Sequence, residues 1–208
     1  VWGDAAVTVP ICPSVDRVAY GPTSAALFGE GFLAVGCPGL GYRGGLVQVF
    51  PETIATGTDP LVTVPDVSGW FVSGALGGPA YADARDAGAV VTITPDGEVL
   101  DYPVGSSSWA GSSPVRWTVG ECSYLAVGEP TALTKSDPTG AVWLTVLDAD
   151  GLPTTWTTLD LPSAGEGYEL QWIGSVLSIS PDGAHLLTAG WEKGSGNGGG
   201  AVTFDLSY

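Results

Sequence analysis

Leu33-Ala34-Val35-Gly36-Cys37-Pro38, followed by Gly45-Leu46-Val47-Gln48-Val49-Phe50, returns later in the chain as Leu125-Ala126-Val127-Gly128-Glu129-Pro130 and then Gly140-Ala141-Val142-Trp143-Leu144-Thr145. Two weaker copies lie between and after these. Ala75-Leu76-Gly77-Gly78-Pro79 precedes Gly88-Ala89-Val90-Val91-Thr92-Ile93, and Leu187-Thr188-Ala189-Gly190 precedes Gly200-Ala201-Val202-Thr203-Phe204-Asp205. A pattern that recurs four times is the signature of a repeat architecture. Its segments are short, rich in β-branched residues and bounded by glycine, which predicts strands. A third line ends each unit on proline: Ala6-Val7-Thr8-Val9-Pro10, Leu61-Val62-Thr63-Val64-Pro65, Glu98-Val99-Leu100-Asp101-Tyr102-Pro103 and Thr157-Thr158-Leu159-Asp160-Leu161-Pro162. Proline cannot donate to a ladder, so these strands belong on an outer edge.

Three units hold one more short strand and turn before the Gly-terminated line, at residues 24–31, 115–123 and 175–183. Four antiparallel strands per unit make a propeller blade. The expected fold is therefore all-β, a small β-propeller of about four blades in a single domain over residues 1–208. Its blades fall at approximately 11–65, 66–103, 104–162 and 163–208 plus 1–10. The second unit has only about ten residues between Pro65 and Leu76, which predicts a three-stranded or deformed blade. The chain opens on an unpartnered outer strand at residues 5–10 and closes on a third strand at 200–206, so the N-terminal strand is expected to complete the last blade. Such closure removes exposed edges and makes the 208 residues a complete domain.

Composition agrees with this reading and excludes others. The 32 glycines and 16 prolines interrupt nearly every candidate helix, and no window keeps helical apolar spacing over ten residues. No apolar run reaches the roughly 18 residues that span a bilayer. Twenty-two acidic against six basic residues give a formal charge of -16, a field that disfavours nucleic acid and anionic lipid. The charge serves solubility or, alternatively, cation binding. The start at Val1 and the lack of methionine fit a secreted or cell-surface chain whose leader has been removed. Cys12, Cys37 and Cys122 show no metal or redox spacing. One disulfide, with Cys12 and Cys37 as the candidate pair, plus one buried thiol is one reading; three buried thiols is the other.

Phe28-Gly29, Leu33-Ala34-Val35-Gly36-Cys37-Pro38-Gly39 and Gly45-Leu46-Val47-Gln48-Val49-Phe50 together resemble the FG-GAP repeat of integrin α-chain propellers and related bacterial secreted proteins. Gly128-Glu129-Pro130 and Gly77-Gly78-Pro79 echo its Gly-Ala-Pro element. The resemblance implies a cell-surface propeller engaged in adhesion or assembly. Calcium-binding copies of that repeat carry an Asp-rich loop between the first two strands. Here the loops read Phe28-Gly29-Glu30-Gly31, Gly120-Glu121-Cys122-Ser123 and Ser180-Pro181-Asp182-Gly183, each with one carboxylate. Calcium wants six to eight oxygens, so the expected cofactor is none, with calcium kept as the alternative although the family's calcium loops are absent.

Catalytic constellations are not evident. His185 is the only histidine and reads as a turn residue; Asp96-Gly97 and Asp148-Ala149-Asp150-Gly151 read as hairpin turns. The glycine-rich stretch 194–200 lacks the lysine and hydroxyl residue of a phosphate loop. Trp70, Trp109 and Tyr168 stand five or six residues after the repeat's proline in three units. They are the candidate binding residues, as a ring of aromatics on one face, unless they serve packing between blades. The expected function is non-enzymatic: binding of a protein partner or assembly into a larger surface complex. The alternative is a carbohydrate-binding lectin that stacks a glycan on these aromatics.

Overall fold

The computed structural model describes residues 11–12, 23–39, 45–84, 88–105, 109–130, 140–159, 170–192 and 199–208. All regular structure among them is antiparallel β-strand, in four sheets. The first sheet comprises β1 (Ser24–Phe28), β2 (Phe32–Cys37), β3 (Leu46–Phe50) and β4 (Val62–Pro65). The second comprises β5 (Val72–Gly74), β6 (Ala80–Ala84), β7 (Ala89–Ile93) and β8 (Val99–Pro103). The third comprises β9 (Ser112–Val119), β10 (Cys122–Glu129), β11 (Ala141–Leu147) and β12 (Thr157–Leu159). The fourth has three strands among the described residues, β13 (Leu170–Ile179), β14 (His185–Glu192) and β15 (Gly199–Asp205). In every sheet the strands lie side by side in chain order.

The sheets meet chiefly through their first strands. β1 lies against β5, β5 against β9, and β9 with β10 against β13. Three apolar cores fill these junctions. Phe28, Val47, Val49, Val72, Val91 and Ile93 join the first sheet to the second. Tyr81, Val90, Leu125, Val127 and Leu147 join the second to the third. Trp117, Val142, Ile173, Leu177, Leu186 and Phe204 join the third to the fourth. β3, β6 and β7 are buried along their whole length. Covered on both faces, they read as nearly continuous apolar runs, whereas β4 alternates because one face meets water. Tyr81 is fully buried and its hydroxyl donates to the Gly151 carbonyl at 2.6 Å. Burial pushes its pKa up to about 12, against a smaller opposing pull from the Arg116 charge.

The other face of the first sheet carries Val35, Cys37, Leu46 and Phe50, packed by Ile11, Cys12, Leu33 and Ile54. A disulfide joins Cys12 to Cys37 there, and Gln48 Oε1 accepts from the Cys12 amide at 2.8 Å.

Junction glycines are required by contact as well as by conformation. A Cβ on Gly128, at the end of β10, would collide with the Gly174 carbonyl oxygen of β13. Gly174 itself holds φ +93°, in the region that side chains avoid.

Three sequence expectations need correction. Of the two forms expected for the second sheet, three-stranded or deformed, the first does not hold: it has four strands, with β5 shortened to three residues to fit the short connection. Residues 75–79 are not the counterpart of the Gly-terminated strand. They form the turn between β5 and β6, with Gly77 at φ +79° and its amide bonded across to the Gly29 carbonyl at 2.7 Å. Cys122 is exposed, not buried, because it opens β10 directly after the Gly120-Glu121 turn. Residues 1–10 and the glycine-rich stretch up to residue 198 lie outside the described residues.

Candidate functional site

Trp109 precedes β9 and Trp172 lies early in β13, both half-buried. Each is followed by one apolar residue, a glycine and a serine: Trp109-Ala110-Gly111-Ser112 and Trp172-Ile173-Gly174-Ser175. The glycines take φ +90° and +93°, and Trp172 itself takes φ +62°. The serines close the same small loop in both places. Ser112 Oγ donates to the Trp109 carbonyl and Ser175 Oγ to the Trp172 carbonyl, each at 2.7 Å. In β13 the loop is a bulge, where the register with β14 shifts between Gln171 and Val176, and the two indoles meet across the junction. Their ring centroids are 5.6 Å apart at 85°, an edge-to-face pair. Beyond the loops a bond joins β13 to β9, from the Leu177 amide to Ser113 Oγ at 3.0 Å.

Trp70 lies two residues before β5, also half-buried, but directly after its left-handed glycine, Gly69 at φ +69°, and not two residues before it. Thr23 Oγ1 reaches the carbonyls of Gly69 and Trp70 at 3.2 and 3.1 Å, which pins the loop to the chain entering β1. From the other side the buried carboxylate of Asp83 holds it, accepting from Ser68 Oγ at 2.6 Å and from the Phe71 amide at 3.2 Å. Trp70 and Trp109 thus lie in braced loops before β5 and β9, and Trp172 lies at the register shift within β13. The bracing fixes aromatic surface before any ligand arrives, which lowers the ordering cost of binding.

Of the sequence-stated candidates, Trp70 and Trp109 occupy these loops, while Tyr168 lies outside the described residues. Trp172, the actual neighbour of Trp109, was not among them. Its signal was the repeated Trp-x-Gly-Ser, hidden because spacing was counted from the repeat's proline.

The remaining polar groups are dispersed. His185 Nδ1 meets Asp205 Oδ1 at 2.9 Å with both side chains largely exposed, an arrangement that contributes little to stability. Asp182, in the adjacent turn, is held below the usual carboxylate range by the hydroxyl of Ser180 at 2.6 Å and the amide of Ala184 at 3.0 Å. Asp148 Oδ1 accepts from the amides of Asp150 and Leu152 at 3.0 and 2.8 Å, so this acidic pair builds a turn. Among the described residues no three His, Cys, Asp or Glu side chains gather as a metal cluster would.

No family model matches the sequence, and no curated protein matches it. Among solved structures, the chain is similar to a streptogramin B lyase at 14% identity, with a TM-score of 0.48 over 94% of this chain and 57% of that one. It is similar to virginiamycin B lyase from Staphylococcus aureus at 14% identity, with a TM-score of 0.45 over 95% of this chain and 58% of that one. A protein of unknown function from Bacteroides caccae shares 12% identity at a TM-score of 0.42, over 89% of this chain and 78% of that one. The chain spans less than three fifths of the length of either lyase.

Proposed function

We propose that this chain is a non-catalytic, FG-GAP-like β-propeller of the cell surface or secreted space that binds a protein partner through its tryptophan loops. The observation that carries the reading is the edge-to-face pair of Trp109 and Trp172, held half-buried on two loops of identical hydrogen bonding. Rigid aromatic anchors of this kind dominate the energetics of protein interfaces. The Cys12–Cys37 disulfide supports an oxidising compartment.

The test is cross-linking at the native cell surface with the wild-type chain and a Trp109→Ala/Trp172→Ala variant as bait. A specific partner is expected with the wild type, and its recovery is expected to fall at least tenfold with the variant, as the loss of two hot-spot residues implies. A glycan array that binds the wild type and not the variant would replace the protein partner with a sugar. Equal recovery by both baits would overturn the reading.

In the same proposal the four sheets are blades of a closed ring whose last blade is completed by residues 5–10. Val7-Thr8-Val9-Pro10 repeats the sequence of β4, Val62-Thr63-Val64-Pro65, and leads directly into Ile11 and Cys12 on the free face of the first sheet. Leu27 on the first sheet and Val176 and Leu187 on the fourth are 56%, 53% and 44% exposed, and closure would bury apolar surface of this kind. Hydrogen exchange decides it: β15 amides are expected to be protected in the full chain and to exchange rapidly when residues 1–10 are deleted. Unchanged protection would dismiss the closing strand.

A further inference from the structure

Arg116 is the only lysine or arginine among the described residues. Along β9 the side chains of Val115, Trp117 and Val119 pack into the core shared with the fourth sheet. Strand alternation therefore turns Arg116 the other way, toward the second sheet. There its guanidinium lies against Gly78 in the turn between β5 and β6. A Cβ at that position would collide with Nη1 and would stand 3.2 Å from Cζ and 3.4 Å from Nη2. The missing side chain makes the room that the guanidinium occupies.

Among the described residues, two of the guanidinium's nitrogens find no hydrogen-bond acceptor. Nε and Nη1 are buried without a hydrogen-bond partner. The Tyr81 hydroxyl, which feels the Arg116 charge, is engaged elsewhere: it donates to the Gly151 carbonyl. A buried donor left unpaired loses its hydration with no return, and the loss is greatest for an ionised group. Arginine's planar fork suits a carboxylate, which accepts two parallel N–H bonds.

We propose that Arg116, cradled by Gly78, is a binding position for a small monocarboxylate, separate from the tryptophan loops. The anion enters at the half-exposed side of the residue, accepts from Nη2, and gains a second N–H as the end of the side chain rotates toward it. The chain's charge of -16 favours a monoanion over a multiply charged oxyanion.

Acetate is the probe. With 15N-labelled protein at constant ionic strength, the backbone amide resonances of the turn around Gly78, against which the guanidinium lies, are expected to shift saturably with sodium acetate and not with sodium chloride. Arg116→Gln is expected to abolish the shift. Arg116→Lys, which loses the fork, should weaken binding about tenfold. Gly78→Ala should displace the guanidinium and weaken binding by a similar factor. Because Arg116→Gln removes an unpaired charge, its thermal midpoint should not fall below that of the wild type, whereas an arginine needed for packing would lower it. The Trp109→Ala/Trp172→Ala variant should bind acetate like the wild type, so failure of the partner-binding reading and failure here are read separately. Absence of saturation in the wild type, or an acetate response kept by Arg116→Gln, would overturn the proposal. Inorganic phosphate binding as tightly as acetate would overturn the choice of monocarboxylate.

Discussion

Gly128→Val is expected to lower the thermal midpoint by roughly 6–12 °C, from a loss of about 3 kcal/mol at about 2–4 °C per kcal/mol for a domain of this size. The cause is steric. A Cβ at 128 meets the Gly174 carbonyl of the neighbouring sheet, and that backbone cannot yield because the Gly174 amide is bound to Thr188 Oγ1 at 2.8 Å. Two sheets would have to separate to admit the side chain, opening the core that holds Trp117, Ile173, Leu186 and Phe204. Gly120→Ala provides the control: it has φ +60° but nothing within 4 Å of its Cβ, so it should cost only about 1 kcal/mol of backbone strain. Calorimetry of the two variants checks the contrast, and equal midpoints would refute a tight junction at residue 128.

Removing the disulfide by Cys12→Ser/Cys37→Ser is expected to cost about 3 kcal/mol, because a cross-link across 25 residues restricts the unfolded chain by about that amount. Denaturant unfolding should show the midpoint of the variant below that of the wild type, and reductant should lower the wild type to the variant's value. The effect has a local side as well. Cys12 brings Ile11 onto Val35, Leu46 and Phe50, so its loss should uncover that face of the first sheet and raise binding of a hydrophobic dye. A midpoint unmoved by both reductant and substitution would show that the bond does not constrain the chain.

Those two predictions also indicate what the sequence could disclose. The Gly-led third strands were legible because Gly45 and Gly140 each sit where a Cβ would strike the next sheet's backbone, at Ser68 and at Ile173. A steric demand repeated at two junctions leaves a repeated letter. Outer strands were legible through their terminal prolines for a similar reason. The stretch 75–79 misled because Leu-Gly-Gly-Pro satisfies either a strand end or a turn, and only its pairing with Gly29 decides between them. Trp172 was missed because its partner Trp109 is distant in the chain and reaches it only across a junction of sheets. Arg116 carried no local signal at all, since an unanswered charge is a property of its surroundings.

Among the described residues every sheet is built from strands consecutive in the chain, and the main contacts between sheets join only successive ones. Stability is then close to a sum of unit and nearest-neighbour terms, so opening need not be all-or-none. Cooperativity becomes a property of the junctions: a defect at Gly128 should loosen the third and fourth sheets while the first two keep their slow amide exchange. Uniform loss of protection over all four would show that the molecule opens as one unit.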